Sequence, residues 1–141
     1  MAALTKNRST PERIPTLRQF EAAGEIYAGA LVALNSSGKA VPASDTAGLR
    51  VLGRAETRAK TGEMVTVKSG CFLFKNGTSA AAVAAADVGG VCYVIDDQTV
   101  GKTGGTNSIV AGLVYDVENK GVWVLIGAQP VTVSITTQAA G

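Results

Sequence analysis

The ten residues from Asp96 to Gly105, DDQTVGKTGG, bring together two adjacent carboxylates, a Gly-Lys-Thr and two further glycines. Such groups grip phosphate when they close a P-loop, G-x-x-x-x-G-K-[ST]. There, backbone N–H groups wrap the phosphates while Lys and Ser/Thr reach the terminal phosphate and its metal. Gly101, Lys102 and Thr103 match the end of that pattern, but its first glycine position holds Asp96, a carboxylate that would repel phosphate. The residues after Thr103, Gly-Gly-Thr-Asn, start a helix poorly, so no helix N-terminus is expected to face the anion. The stretch reads instead as turns flanking a short strand, because Asp, Asn and Gly are the residues turns require.

Other chemistry is as sparse. The 141-residue chain has no histidine, the commonest general base and metal ligand. No serine sits in a nucleophile-elbow pattern. Asp96 and Asp97 are neighbours, so on a strand they point to opposite faces and in a turn both meet solvent. Together with Gln98 they supply too few alternating oxygens for a calcium loop. Cys71 and Cys92, the only cysteines, form no metal signature and lie in apolar strand-like stretches, which reads as two unbonded thiols. The expectation is a protein without catalytic, metal-binding or cofactor-binding residues.

The charge is placed unevenly. Lys6, Arg8, Arg13 and Arg18 stand against Glu12 and Glu21 in residues 1–23, so the whole net charge of +2 lies in that segment. This falls short of the basic stripe of a nucleic-acid binder and suits a flexible arm lying on a more acidic surface. No window holds the ~20 continuous apolar residues of a membrane span. The opening MAALTKNRSTPERIP lacks the apolar stretch of a signal peptide, which points to synthesis in a cytosol.

The rest of the chain is written in short strands. Residues 1–23 contain Pro11 and Pro15 and few large apolar side chains, so an extended arm is expected, with Leu17 and Phe20 sharing one face of a short helical turn. From Gly24 onward, GEIYAGALVAL, LRVLGRAETR, EMVTVKSGCFLFK, VCYVI, TVGK, SIVAGLVYDV and VWVLI read as strands, separated by turn signals. In EMVTVKSGCFLFK, period two puts Val65, Val67, Cys71 and Leu73 on one face and Met64, Phe72 and Phe74 on the other, as in a strand covered on both sides. Gly53 is read as a bulge or close approach, Asn76-Gly77 as a hairpin turn, and TSAAAVAAADVGG as one or two helical turns at most. Eight or nine strands with turns every eight to twelve residues indicate a mainly β chain, a small antiparallel β-sandwich or barrel. The expected layout is an arm over 1–23, a β domain over 24–127, and a tail or edge strand over 128–141 that contains PVTVSIT.

Three passages, taken in order, carry a family resemblance. IYAGALVALNSSGKAVPAS, ADVGGVCYVIDDQTVGKT and SIVAGLVYDVENKGVWVLI resemble the capsid cement, or head decoration, proteins of tailed phages. The resemblance covers residues 24–126 and implies a β-rich, often trimeric protein on the outside of an icosahedral head, bridging neighbouring major capsid proteins. It implies no catalytic residue, no cofactor, no membrane and no specific nucleic acid. On this reading the chain is made in the host cytoplasm and resides on the outer surface of the virion. Lys6, Arg8, Arg13, Arg18, Leu17 and Phe20 are then the candidate capsid contacts. A phage tail or baseplate β module is the first alternative. A sugar-binding β-sandwich is the second, weakened because Trp123, Tyr27, Tyr93 and Tyr115 fall in apolar strand-like stretches and read as core.

Overall fold

The computed structural model describes residues 2–13 and 15–127. Ten strands follow one another: β1 (Leu17–Glu21), β2 (Leu31–Leu34), β3 (Ala40–Pro42), β4 (Arg50–Ala55), β5 (Met64–Lys68), β6 (Gly70–Asn76), β7 (Val91–Val94), β8 (Thr99–Gly101), β9 (Val110–Glu118) and β10 (Gly121–Ile126). The first five make an antiparallel sheet in the order β1-β5-β4-β2-β3; the last five close into a barrel, β10-β6-β8-β7-β9. The fold is mainly β, as the turn spacing indicates. The barrel contains one parallel pair, β6 with β8. Pro42 sits on β3, at the edge of the sheet, where a missing N–H costs no ladder bond.

The two halves meet through β2. Its residues alternate between two cores: Leu31 and Ala33 join Phe72, Phe74, Val100, Val122 and Val124 in the barrel core, while Val32 joins Ile26, Leu52, Val65 and Val67 in the sheet core. β2 is thus the strand buried on both faces, which explains its unbroken run LVAL. The segment 63–75, expected to fill that role, is two strands. Between Lys68 and Gly70 the chain leaves the sheet for the barrel, and the inward positions change from odd to even numbers. Val65 and Val67 are buried in the sheet; Phe72 and Phe74 are buried in the barrel, with Leu73 turned out. Ser69 is the last residue to follow β1, donating its N–H to Thr16 O at 2.8 Å in the register of the β1–β5 ladder, and the chain turns into the barrel after it.

Three local expectations change. Residues 17–21 are a strand rather than a helical turn, because β1 pairs along its length with β5, from Leu17↔Lys68 to Glu21↔Met64. The arm therefore ends before Leu17, not at residue 23, and the described residues 2–13 are exposed throughout. Asn76-Gly77 makes no hairpin: the Asn76 side chain instead brackets the backbone of Val83, accepting from its N–H and donating to its C=O, both at 2.8 Å. The alanine-rich stretch gives two single 3-10 turns, Ser79–Ala81 and Ala85–Asp87, as its length allows. Gly53 lies at a bulge between β2 and β4, and a Cβ there would overlap the carbonyl of Lys68. The expected tail, including PVTVSIT, lies outside the described residues.

Candidate functional site

The phosphate-like stretch folds as a hairpin and a loop, and the loop already holds an anion. β7 and β8 pair across the turn at Asp96-Asp97, where Asp96 accepts the N–H of Gln98 at 2.9 Å. Beyond Lys102 the glycine-rich loop presents successive N–H groups, as a phosphate cradle would. Their occupant is the Asp45 carboxylate, which accepts from Thr106 N at 2.8 Å and Asn107 N at 2.9 Å. These two backbone donors, Thr106 first, hold the Asp45 carboxyl below its ordinary value. The Asn107 side chain donates to Asp45 O, locking the loop to the β3–β4 connection. Lys102 turns away towards Asp87, with Nζ 3.8 Å from its carboxylate. The stretch thus positions structure, and its anion site is filled by the chain itself.

No group of three His, Cys, Asp or Glu side chains is arranged to hold a metal ion among the described residues. Cys92 lies inside the barrel, and burial pushes its thiol up to about 12. Cys71 lies on the outside of the same wall and is only partly covered; both thiols are unbonded. Neither thiol has the cationic neighbour that would make it a reactive thiolate.

The six arm candidates separate into two groups. Lys6, Arg8 and Arg13 lie on the exposed segment before β1, and Leu17 is 51% exposed at the start of β1. Arg18 and Phe20 belong to the sheet: the guanidinium lies 5.4 Å from the Phe20 ring and reaches Leu52 O, and Phe20 packs on the sheet core. The alternation of β1 explains the split, since residues 18 and 20 share the face turned inward.

The surface not anticipated from the sequence is the outside of the barrel wall. Val122, Val124 and Ile126 of β10 point inward, so Trp123 and Leu125 point out. Register carries the apolar character across four strands: Leu125 stands opposite Cys71 and Leu113, and Leu113 opposite Val91. Beside this row, Trp123 stands opposite Leu73 and Asp116. A bulge in β9 at this level gives two residues to one on β10, which turns Tyr115 and Asp116 outward together next to Trp123. Tyr115 is 65% exposed. With Cys71 these residues line a cleft of about 340 Å³. The Trp123 indole N–H donates to Glu118 Oε2 at 2.7 Å, fixing the ring.

The expectation that the aromatics are core is therefore corrected. Tyr115 and Tyr27 are exposed and Trp123 is half-buried, because the barrel interior is filled by Val, Ala and Cys beside Phe72 and Phe74. In VWVLI both alternate sets are apolar, so period two could not say which faced in. The signal present in the sequence was Asp116, a charge beside Tyr115 that breaks the uncharged run of β9 before its terminal Glu118.

A second cleft, of about 330 Å³, lies where the loop at Tyr27–Ala30 meets Asp97 and Gln98. Here the exposed ring of Tyr27 carries the guanidinium of Arg58, 4.9 Å from its centroid, and Glu25 pairs with the same guanidinium.

No protein-family model matches the chain, and no curated protein matches its sequence.

Proposed function

We propose that the protein is a structural decoration module that binds the outer surface of a phage head and bridges major capsid proteins. The observation that carries this reading is the presence of two contact surfaces on one chain: an exposed basic segment, residues 2–13, and an apolar outer barrel wall bearing Leu73, Tyr115 and Trp123. Contiguous apolar residues on an outer face suit contact with another protein. The order of the three resembling passages supports the same reading. A cement protein acts by adding contact area across a joint, and several copies in one assembly multiply modest contacts through effective concentration.

The test is to mix purified protein with undecorated heads and image them by electron cryo-microscopy. Added density at symmetric positions on the outer surface is expected; bare heads at saturating protein overturn the reading. Deleting residues 2–13 is expected to leave the fold intact by circular dichroism and to weaken attachment. Raised salt is expected to weaken it too, because exposed ion pairs are screened. Equal affinity of the two forms would move the interface wholly onto the β body. Tail or baseplate location would instead appear in electron micrographs of virions carrying a labelled chain.

A sugar-binding reading ranks second, favoured by the exposed Tyr115 beside Trp123, an aromatic platform of the kind that stacks on sugar rings. Against it, the described residues lining that cleft offer only the Asp116 carboxylate and the Tyr115 hydroxyl, and the Trp123 N–H is already engaged by Glu118. A sugar ring needs several hydrogen-bond partners around its rim. Binding on a glycan array, lost in Tyr115→Ala, would promote this reading.

A further inference from the structure

The chain seats a guanidinium between an aromatic ring and a carboxylate twice. Arg54 lies 4.2 Å from the centroid of Phe72 and pairs with Glu56; Arg58 lies over Tyr27 and pairs with Glu25. Each combines the ring quadrupole with a charge-assisted hydrogen bond, and the flat fork of arginine suits both at once. The outer barrel wall repeats the arrangement at Tyr115, Trp123, Asp116 and Glu118. There, among the described residues, no cation lies over either ring and no basic side chain pairs with either carboxylate.

We propose that the Tyr115–Trp123–Asp116 cleft is the receptor for an arginine of the N-terminal segment, Arg8 or Arg13, of a second copy of this chain. Charge selects the occupant. Residues 2–13 carry Lys6, Arg8 and Arg13 against Glu12 alone, whereas the cleft carries Asp116, with Glu118 at its border. The cleft lining of Cys71, Tyr115 and Trp123 suits the aliphatic stem of arginine, and Asp116 suits its head. The segment is exposed along its described length and makes no hydrogen bond to its own body among the described residues, so its arginines are available to a neighbour. Donor and acceptor lie at different places on each copy, so the contact is head-to-tail and closes into a ring when the rotation permits. The inference concerns contacts between copies and needs no phage head, so it stands or falls apart from the function proposed above.

Cys71, in the cleft wall, provides the test. Arg8→Cys and Arg13→Cys variants of the full chain are concentrated, treated with a mild oxidant and run on a non-reducing gel. For at least one variant, disulfide-linked dimers or larger species are expected, and they should vanish when Cys71→Ser is added. A bridge within one chain, seen by mass spectrometry at monomer size, would show that the segment folds onto its own cleft and would overturn the assignment to a second copy. Absence of any bridge in both variants, or bridges that persist without Cys71, would overturn the site. In the otherwise unaltered chain, Tyr115→Ala is expected to weaken self-association about tenfold, the scale of a guanidinium on a largely desolvated ring. Tyr27→Ala should leave it unchanged. Sedimentation equilibrium reads both, and equal association in Tyr115→Ala and the unaltered chain sinks the proposal.

Discussion

The clefts at Tyr27 and at Tyr115 are nearly equal in volume, and each exposes one tyrosine ring. They differ in what lies on the ring. At Tyr27 the chain supplies Glu25 from the β1–β2 connection and Arg58 from the β4–β5 connection, so the cation, ring and carboxylate are complete within one molecule. At Tyr115 the ring and carboxylates rise from one wall of a closed barrel, and no loop of the described chain brings a cation to them. A closed barrel has no edge strand to offer a partner, so its strands make contacts through their outer face. The difference separates a site finished by folding from one whose chemistry calls for another chain.

Substitutions can break that contrast. The largest effect is expected from Leu31→Ala, because Leu31 is fully buried on the strand shared by both halves. A loss of about 2–5 kcal/mol is expected from the missing packing and the cavity left behind. Urea unfolding should show a single transition, with both halves lost together; two separate transitions would mean that the clefts rest on independent bodies. Next comes Gly112→Ala, which strikes the barrel alone. A Cβ at Gly112 would overlap the backbone carbonyl of Leu125 and crowd Val124, neither of which can yield without opening the β9–β10 ladder. About 1–3 kcal/mol is expected by the same measurement, together with quicker proteolysis after Tyr115 than after Tyr27.

Thiol labelling sharpens the comparison without changing stability. Cys71 and Cys92 mark the outside and inside of the barrel wall, so a maleimide should modify Cys71 in the native state and Cys92 only on unfolding. Equal rates would mean that the wall carrying Tyr115 is open. The smallest effect is expected from Arg58→Ala. Its pair with Glu25 is on the surface, so the urea midpoint should barely move, even at low salt. A large shift would show that the finished cleft braces the sheet rather than only covering a ring.

How much of this was legible in the sequence depended on whether a segment had one apolar face or two. β7, β9 and β10 were placed by their turns, and the hairpin at Asp96-Asp97 by its turn residues. β1 was missed because LRQFE is short and follows two prolines, and its strand character comes from the partner β5. The break at Ser69 lay hidden inside thirteen residues of continuous strand formers, since Ser-Gly alone does not announce a change of sheet. The Tyr115 cleft was obscured by the same ambiguity in VWVLI, and by a bulge that only pairing between β9 and β10 reveals. The role of Asp45 was out of reach because its partners, Thr106 and Asn107, lie some sixty residues away in the chain.

The passage from β5 to β6 has a genetic consequence. Because inward positions are odd in β5 and even in β6, the single residue at the junction sets the phase of β6 relative to β5. Removing one codon at this point would send Phe72 and Phe74 to the surface and Cys71 and Leu73 into the barrel, unless the pairing with β10 slipped to match. Inserting one codon would do the same, whereas adding or removing two would preserve the phase. Length variation at this junction should therefore be tolerated in steps of two residues, and single-codon changes should be purged.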